Sequence, residues 1–158
     1  GNRREAAKML AKPEYVGADE QVIASSMTGT FEYAKGDKRQ LPDFNVFFRH
    51  HATYPYYSDA IWYLTQMRRW GQIPEARPDA WFEQVAKAVY QPGVYRQAAE
   101  ALIAEGKLKA SDFPDFASEQ GYRDPQDGFI DGLIYDGRHP NAYLQQFAIG
   151  LKGDERVQ

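Results

Sequence analysis

The residues of this chain that could do chemistry gather between positions 49 and 70, RHHATYPYYSDAIWYLTQMRRW, where eight of 22 residues are His, Tyr or Trp. Aromatic rings interleaved with polar tips can line a cleft for a sugar or a planar anion, and Tyr and Trp tips donate hydrogen bonds there. Arg49, His50, His51, Tyr54 and Tyr56 are therefore the candidate ligand-contact residues. The competing reading packs the rings into a core and wedges the loop against the helix that follows. His50 and His51 are neighbours, so their side chains diverge by about 100° on a helix and oppose one another on a strand, which makes them poor partners for one metal. The Asp series DPQDGFIDGLIYDG (124–137) lacks the alternating carboxylates and terminal Glu of a calcium loop, and Asp before Gly is ordinary turn chemistry. No metal and no cofactor is expected. GxSxG, HExxH, Walker and GxGxxG motifs are all missing. Acid–base catalysis needs a positioned pair of groups, and no spacing here specifies one, so an enzyme is not expected.

The elements that must position these residues are mostly helices. Residues 3–12 are strong helix formers halted by Pro13, and Asp19 caps a second short helix to Met27. FEYAKGDKRQLPDFNVFF (31–48) has aromatic ends around a Gly-Asp turn and reads as a short β-hairpin, interrupted by Pro42. From 58 to 105 the helical pattern is best defined. Ser58 is the expected cap of a helix running to Trp70, with Ala60, Tyr63, Leu64, Met67 and Trp70 on its buried stripe. Pro78 opens the next helix at its first position, with Trp81, Phe82, Val85 and Val89 inward. Pro92 opens a third, with Tyr95, Ala98, Ala99 and Leu102 on one face and Gly106 as the stop. Residues 107–124 form a turn-rich connection pinned by Phe113 and Phe116, and Pro140 opens a last short helix. The fold class is mainly α over 1–158, as a single helical domain or a fragment of one.

Composition narrows the functions. Leu, Ile, Val and Phe make up just under a fifth of 158 residues, but 11 Tyr, 3 Trp and a net charge of only −3 keep the chain out of the disordered class. There is no Cys, hence no disulfide framework and no thiol chemistry. No basic block provides a footprint for nucleic acid. No apolar run approaches a membrane span, and the first 30 residues hold no apolar signal-peptide core.

ATYPYYSDAIWYLTQMRRWGQIP (52–74), RREAAKMLAKPEYVGADEQVIASSMTGTFEY (3–33) and DGLIYDGRHPNAYLQQFAIGLKG (131–153) together resemble the C-terminal portion of nitrate-, bicarbonate- and cyanate-binding proteins of ABC transporters. The stretch from Tyr54 to Pro74 is the most specific part. The resemblance implies a helical C-terminal part of a two-lobed, type II periplasmic-binding-protein α/β fold. It implies a small oxyanion such as nitrate as ligand of the full-length protein, an ABC permease as partner, and a periplasmic location. Some relatives instead work in the cytoplasm as nitrate-responsive regulators that hold a partner protein. The family's principal anion ligands match no motif of this chain and are expected upstream of it. Faces that would pack on the missing lobes are then exposed, so self-association of the isolated chain is expected.

Overall fold

The computed structural model describes residues 2–130 and 132–147, and these divide into two compact units, Gly1–Thr53 and Tyr54–Gln158. Asp131 of the Asp series and residues 148–153 of the tail motif lie outside the described residues.

In the first unit, α1 (Arg3–Leu10) packs on α2 (Glu20–Thr28), with Ala7 fully buried between them. Asp19 caps α2 as its type requires, its carboxylate accepting the Gln21 and Val22 amides at 2.7 and 3.3 Å. Gly29 ends the helix at φ +76°, and a Cβ there would stand 2.5 Å from the Leu41 carbonyl oxygen. Only glycine tolerates both the left-handed backbone and that approach. The close contact ties the hairpin to the helix, because the Leu41 amide donates to the Gly29 carbonyl at 2.6 Å.

The hairpin is β1 (Thr30–Ala34) and β2 (Asp37–Gln40), antiparallel, with Thr30 opposite Gln40 and Phe31 opposite Arg39. It is shorter than the expected 31–48. The polar DKRQ segment forms the second strand, and the Pro-interrupted aromatic stretch that follows does not pair; Phe44 instead returns to lie 4.3 Å from the Phe31 ring. Arg3 secures this return, donating to the Met27 and Asn45 carbonyls at 2.5 and 3.1 Å.

The second unit is built on α3 (Tyr57–Arg69), α4 (Asp79–Val89) and α6 (Pro140–Leu144), which pack on one another; α5 (Pro92–Ala104) follows α4. Ala60, Ile61, Phe82, Ala86 and Leu144 form its core, walled by Tyr57, Leu64, Trp81, Tyr90 and Tyr122. Among the described residues the elements are mainly α with one hairpin.

The packing face of α3 differs from the apolar stripe. Tyr63, Met67 and Trp70 stand 58, 40 and 54 % exposed, whereas Ser58, Ile61, Thr65 and Arg68 are buried. The polar residues occupy the buried side because each of them finds a hydrogen-bond partner there. The Thr65 hydroxyl donates to the Trp62 carbonyl at 2.6 Å, and the Arg68 guanidinium donates to the Ile73 and Pro74 carbonyls at 3.0 and 2.5 Å. Ser58 is not the cap, since α3 begins at Tyr57 and Ser58 turns its hydroxyl to a distant amide. Similar rotations leave Val89 on α4 and Ala98 on α5 exposed, while Pro78 precedes α4 instead of opening it. Phe113 is buried, and its ring lies 6.2 Å from that of Phe116.

Candidate functional site

The five candidate contact residues fall in both units. Arg49, His50 and His51 form a short 3-10 turn at the end of the first; Arg49 is ion-paired with Asp43. His50 and His51 both adopt positive φ, 57° and 53°, an uncommon backbone for any residue with a Cβ. Tyr54 and Tyr56 belong to the second unit and are buried at 5 and 6 % exposure. Their rings meet edge-on at 4.6 Å, and Tyr54 packs in the same way on Tyr95 of α5 at 5.2 Å. Burial, and then the charge of Glu119, pushes the Tyr54 phenol up to about 12, while burial first also raises Tyr56. In this half of the aromatic stretch the core-packing reading describes what the rings do.

The other half lines a cleft. The first turns of α3 supply Ser58, Asp59, Trp62 and Tyr63, and the connection after α5 supplies Arg123, Asp124, Gln126, Phe129 and Tyr135, around a space of about 310 Å³. Two strands of connection meet here as an isolated bridge between Gln126 and Tyr135. Arg123 is held three ways. Its Nε donates to both Asp59 carboxylate oxygens at 2.9 and 3.2 Å, its Nη2 to one of them at 3.2 Å, and its guanidinium lies 3.9 Å from the Tyr56 ring centre. The Arg123 amide donates to Ser58 Oγ at 3.1 Å, and the Tyr135 hydroxyl donates to the Ser58 carbonyl at 2.5 Å. Burial, reinforced by Asp59 and Asp136, raises the Tyr135 phenol far above its ordinary value. The Trp62 and Phe129 rings are parallel to within 2° at 6.2 Å.

A more polar cleft of about 520 Å³ lies where α4 meets Tyr122 and Arg138. Lys87 donates to Glu83 at 2.6 Å and the Tyr122 hydroxyl donates to the same carboxylate at 3.0 Å. Lys87 first and Tyr122 second hold the Glu83 carboxyl below its ordinary value, and burial, followed by Glu83, pushes Tyr122 up to about 12.

Neither cleft has surplus positive charge. The first sets Asp59 and Asp124 against Arg123, and the second sets Asp79 and Glu83 against Lys87 and Arg138. A small oxyanion taken from water needs unpaired cations or several free N–H donors in a confined space. In the first cleft the one cation already holds a carboxylate.

The aromatic stretch led to Trp62 and Tyr63 but not to Arg123, Phe129 or Tyr135. Asp59 and Arg123 are 64 positions apart, and no local spacing signals a pair at that separation.

No family model matches the chain. Over 150 residues it is 28% identical to the nitrate/nitrite binding protein NrtA of Nostoc sp. PCC 7120, covering 94% of this chain and 31% of that protein. It is 27% identical to the bicarbonate-binding protein CmpA of Synechococcus elongatus PCC 7942, covering 94% and 32%. The nitrate import ATP-binding protein NrtC of Synechocystis sp. PCC 6803 matches 94% of the chain with 20% of its own length, at 27% identity. In three dimensions the chain matches the crystal structure of the periplasmic nitrate-binding protein NrtA from Synechocystis PCC 6803 with a TM-score of 0.70 and 26% identity, over 92% of this chain and 35% of that one. The sequence and the fold of this chain are thus similar to one part of solute-binding proteins of transport systems. Its matched sequence and fold are similar to those of nitrate- and bicarbonate-binding proteins, and it spans about a third of the length of the binding proteins it matches.

Proposed function

We propose that this chain is the C-terminal, helical segment of a periplasmic solute-binding protein that captures nitrate or a related oxyanion for an ABC permease, with the principal anion site outside residues 1–158. The observation that carries the reading is the match of 92% of the chain to 35% of a nitrate-binding protein's structure. The charge balance of the two clefts supports the second half of it, since neither carries surplus positive charge. In this role the segment is non-catalytic, and it belongs to a type II periplasmic-binding-protein fold whose α/β lobes lie elsewhere in the full-length protein. Arg49 and His50, exposed on their turn, and the half-buried His51 remain the proposed contact residues toward the rest of that protein or its ligand, while Tyr54 and Tyr56 are packed within the second unit.

Calorimetric titration of the chain with nitrate, nitrite and bicarbonate tests this reading. The expected result is no binding in the micromolar range. Micromolar binding by residues 1–158 alone would place the site in this chain and overturn the proposal.

A second reading is favoured by the match to an ATP-binding protein, NrtC, over the same segment. On that reading the segment is an interaction module of a cytoplasmic, nitrate-responsive relative. Affinity capture from a nitrate-grown lysate separates the two: permease components alone support the transport receptor, and a cytoplasmic protein partner supports the regulator.

A further inference from the structure

We propose that the cleft between α3 and the 123–135 connection is a binding site for a small organic cation, an alkylammonium or guanidinium group, and not for an anion or a sugar. The argument begins with its walls. Trp62, Tyr63, Phe129 and Tyr135 all line the space of about 310 Å³, and the negative faces of aromatic rings attract cations, Trp most strongly. The charge of the cleft has the same sign preference. Arg123 is held by Asp59 and stacked on Tyr56 at 3.9 Å. The Asp124 carboxylate has no ion-pair partner among the described residues and leaves the cleft with one net negative charge.

The hydrogen-bonding groups decide against a sugar. Sugar recognition needs several free donors and acceptors at the edge of a stacking ring. Here the Ser58 hydroxyl and carbonyl, the Asp59 carboxylate and the Tyr135 hydroxyl are engaged with one another and with Arg123, and the Gln126 amide donates to the Asp124 carbonyl at 2.5 Å. What remains is one unpartnered buried donor, the Trp62 indole N–H, beside charge and π-surface; one donor is too few for a sugar, and charge with π-surface is the combination by which ammonium groups are recognised. This site does not depend on the oxyanion reading above, since it uses residues of this chain alone.

The test is a tryptophan-fluorescence titration of the whole chain with tetramethylammonium chloride, run beside sodium chloride at equal ionic strength, sodium nitrate, and tert-butanol as a neutral molecule of similar size. A saturable change with tetramethylammonium alone is expected. Asp124→Asn should weaken it about fivefold, the value of roughly 1 kcal/mol in binding. Asp124 is exposed and outside the core, and near-UV circular dichroism checks that the variant keeps its packing. Tyr63→Ala, at an exposed wall position, should weaken binding as well. A saturable response to tert-butanol of equal strength, a response to sodium chloride equal to that of tetramethylammonium, no saturable response at all, or undiminished binding by Asp124→Asn would overturn the proposal.

Discussion

Ser58 shows how much a single polar residue can carry when its partners are distant in sequence. It is 2 % exposed, its hydroxyl accepts the Arg123 amide, and its carbonyl accepts the Tyr135 hydroxyl. Ser58→Ala leaves the Arg123 amide without its acceptor, and a loss of about 1–3 kcal/mol is expected in urea unfolding. An unchanged midpoint would show that the bond contributes nothing to stability. Asp59→Asn should cost less, about 1 kcal/mol or below, with the difference from wild type shrinking as salt is added. The two side chains are 36 and 30 % exposed, so solvent already screens the pair. The tyrosines give the pH dependence. Tyr54 and Tyr122 are pushed up to about 12 from an ordinary value of 10.0. The folded chain therefore holds the protonated phenols more firmly than the unfolded chain does. That contribution is whole below pH 10 and is lost as pH rises from there through about 12. Phenolate absorbance and circular dichroism followed together should show these tyrosines ionising with unfolding; ionisation near pH 10 in a folded chain would contradict it.

Among the elements, α6 depends most on others. Five residues are too few to hold a helix by themselves. Asp79 at the start of α4 anchors it, accepting the Asn141 amide at 3.1 Å and its side-chain amide at 2.6 Å, while the side-chain amide also reaches the Arg77 carbonyl. Asp79→Ala should cost about 1–3 kcal/mol and accelerate amide exchange at residues 141–144 more than on α3. Uniform acceleration would mean that the anchor is not local. The elements also show where pattern reading succeeds. The cap of α2 and the start and stop of α5 are legible because Asp19, Pro92 and Gly106 act on their own backbone neighbourhood. The inward face of α3 is not. Thr65 and Arg68 are buried by virtue of nearby backbone carbonyls and Ser58 by a partner from the far end of the unit, so hydrophobicity alone rotates that face toward Tyr63, Met67 and Trp70. The hairpin is legible in place but not in extent, because a polar strand pairs where an aromatic one was expected.

At the scale of the whole molecule, the misread face becomes a prediction. Tyr63, Met67 and Trp70 repeat at i, i+4 and i+7 and leave one apolar line on α3 uncovered. Static light scattering of the chain should give a dimer or a larger species, and Met67→Glu with Trp70→Lys should shift it toward monomer. A wild-type monomer at every concentration would show that the exposed line is tolerated. The amino-acid sequence by itself determined the helical class, the places where most helices start and stop, the density of aromatics at 49–70 and the family resemblance. Each of these rests on local backbone preference or on residue order. Only the tertiary structure decided that Tyr54 and Tyr56 are core, that Arg123 is held by Asp59, and that Trp62 and Tyr63 line a cleft with net negative charge. The long-range partners lie 41 to 77 positions away, and a charge paired across such a distance leaves no trace in local spacing.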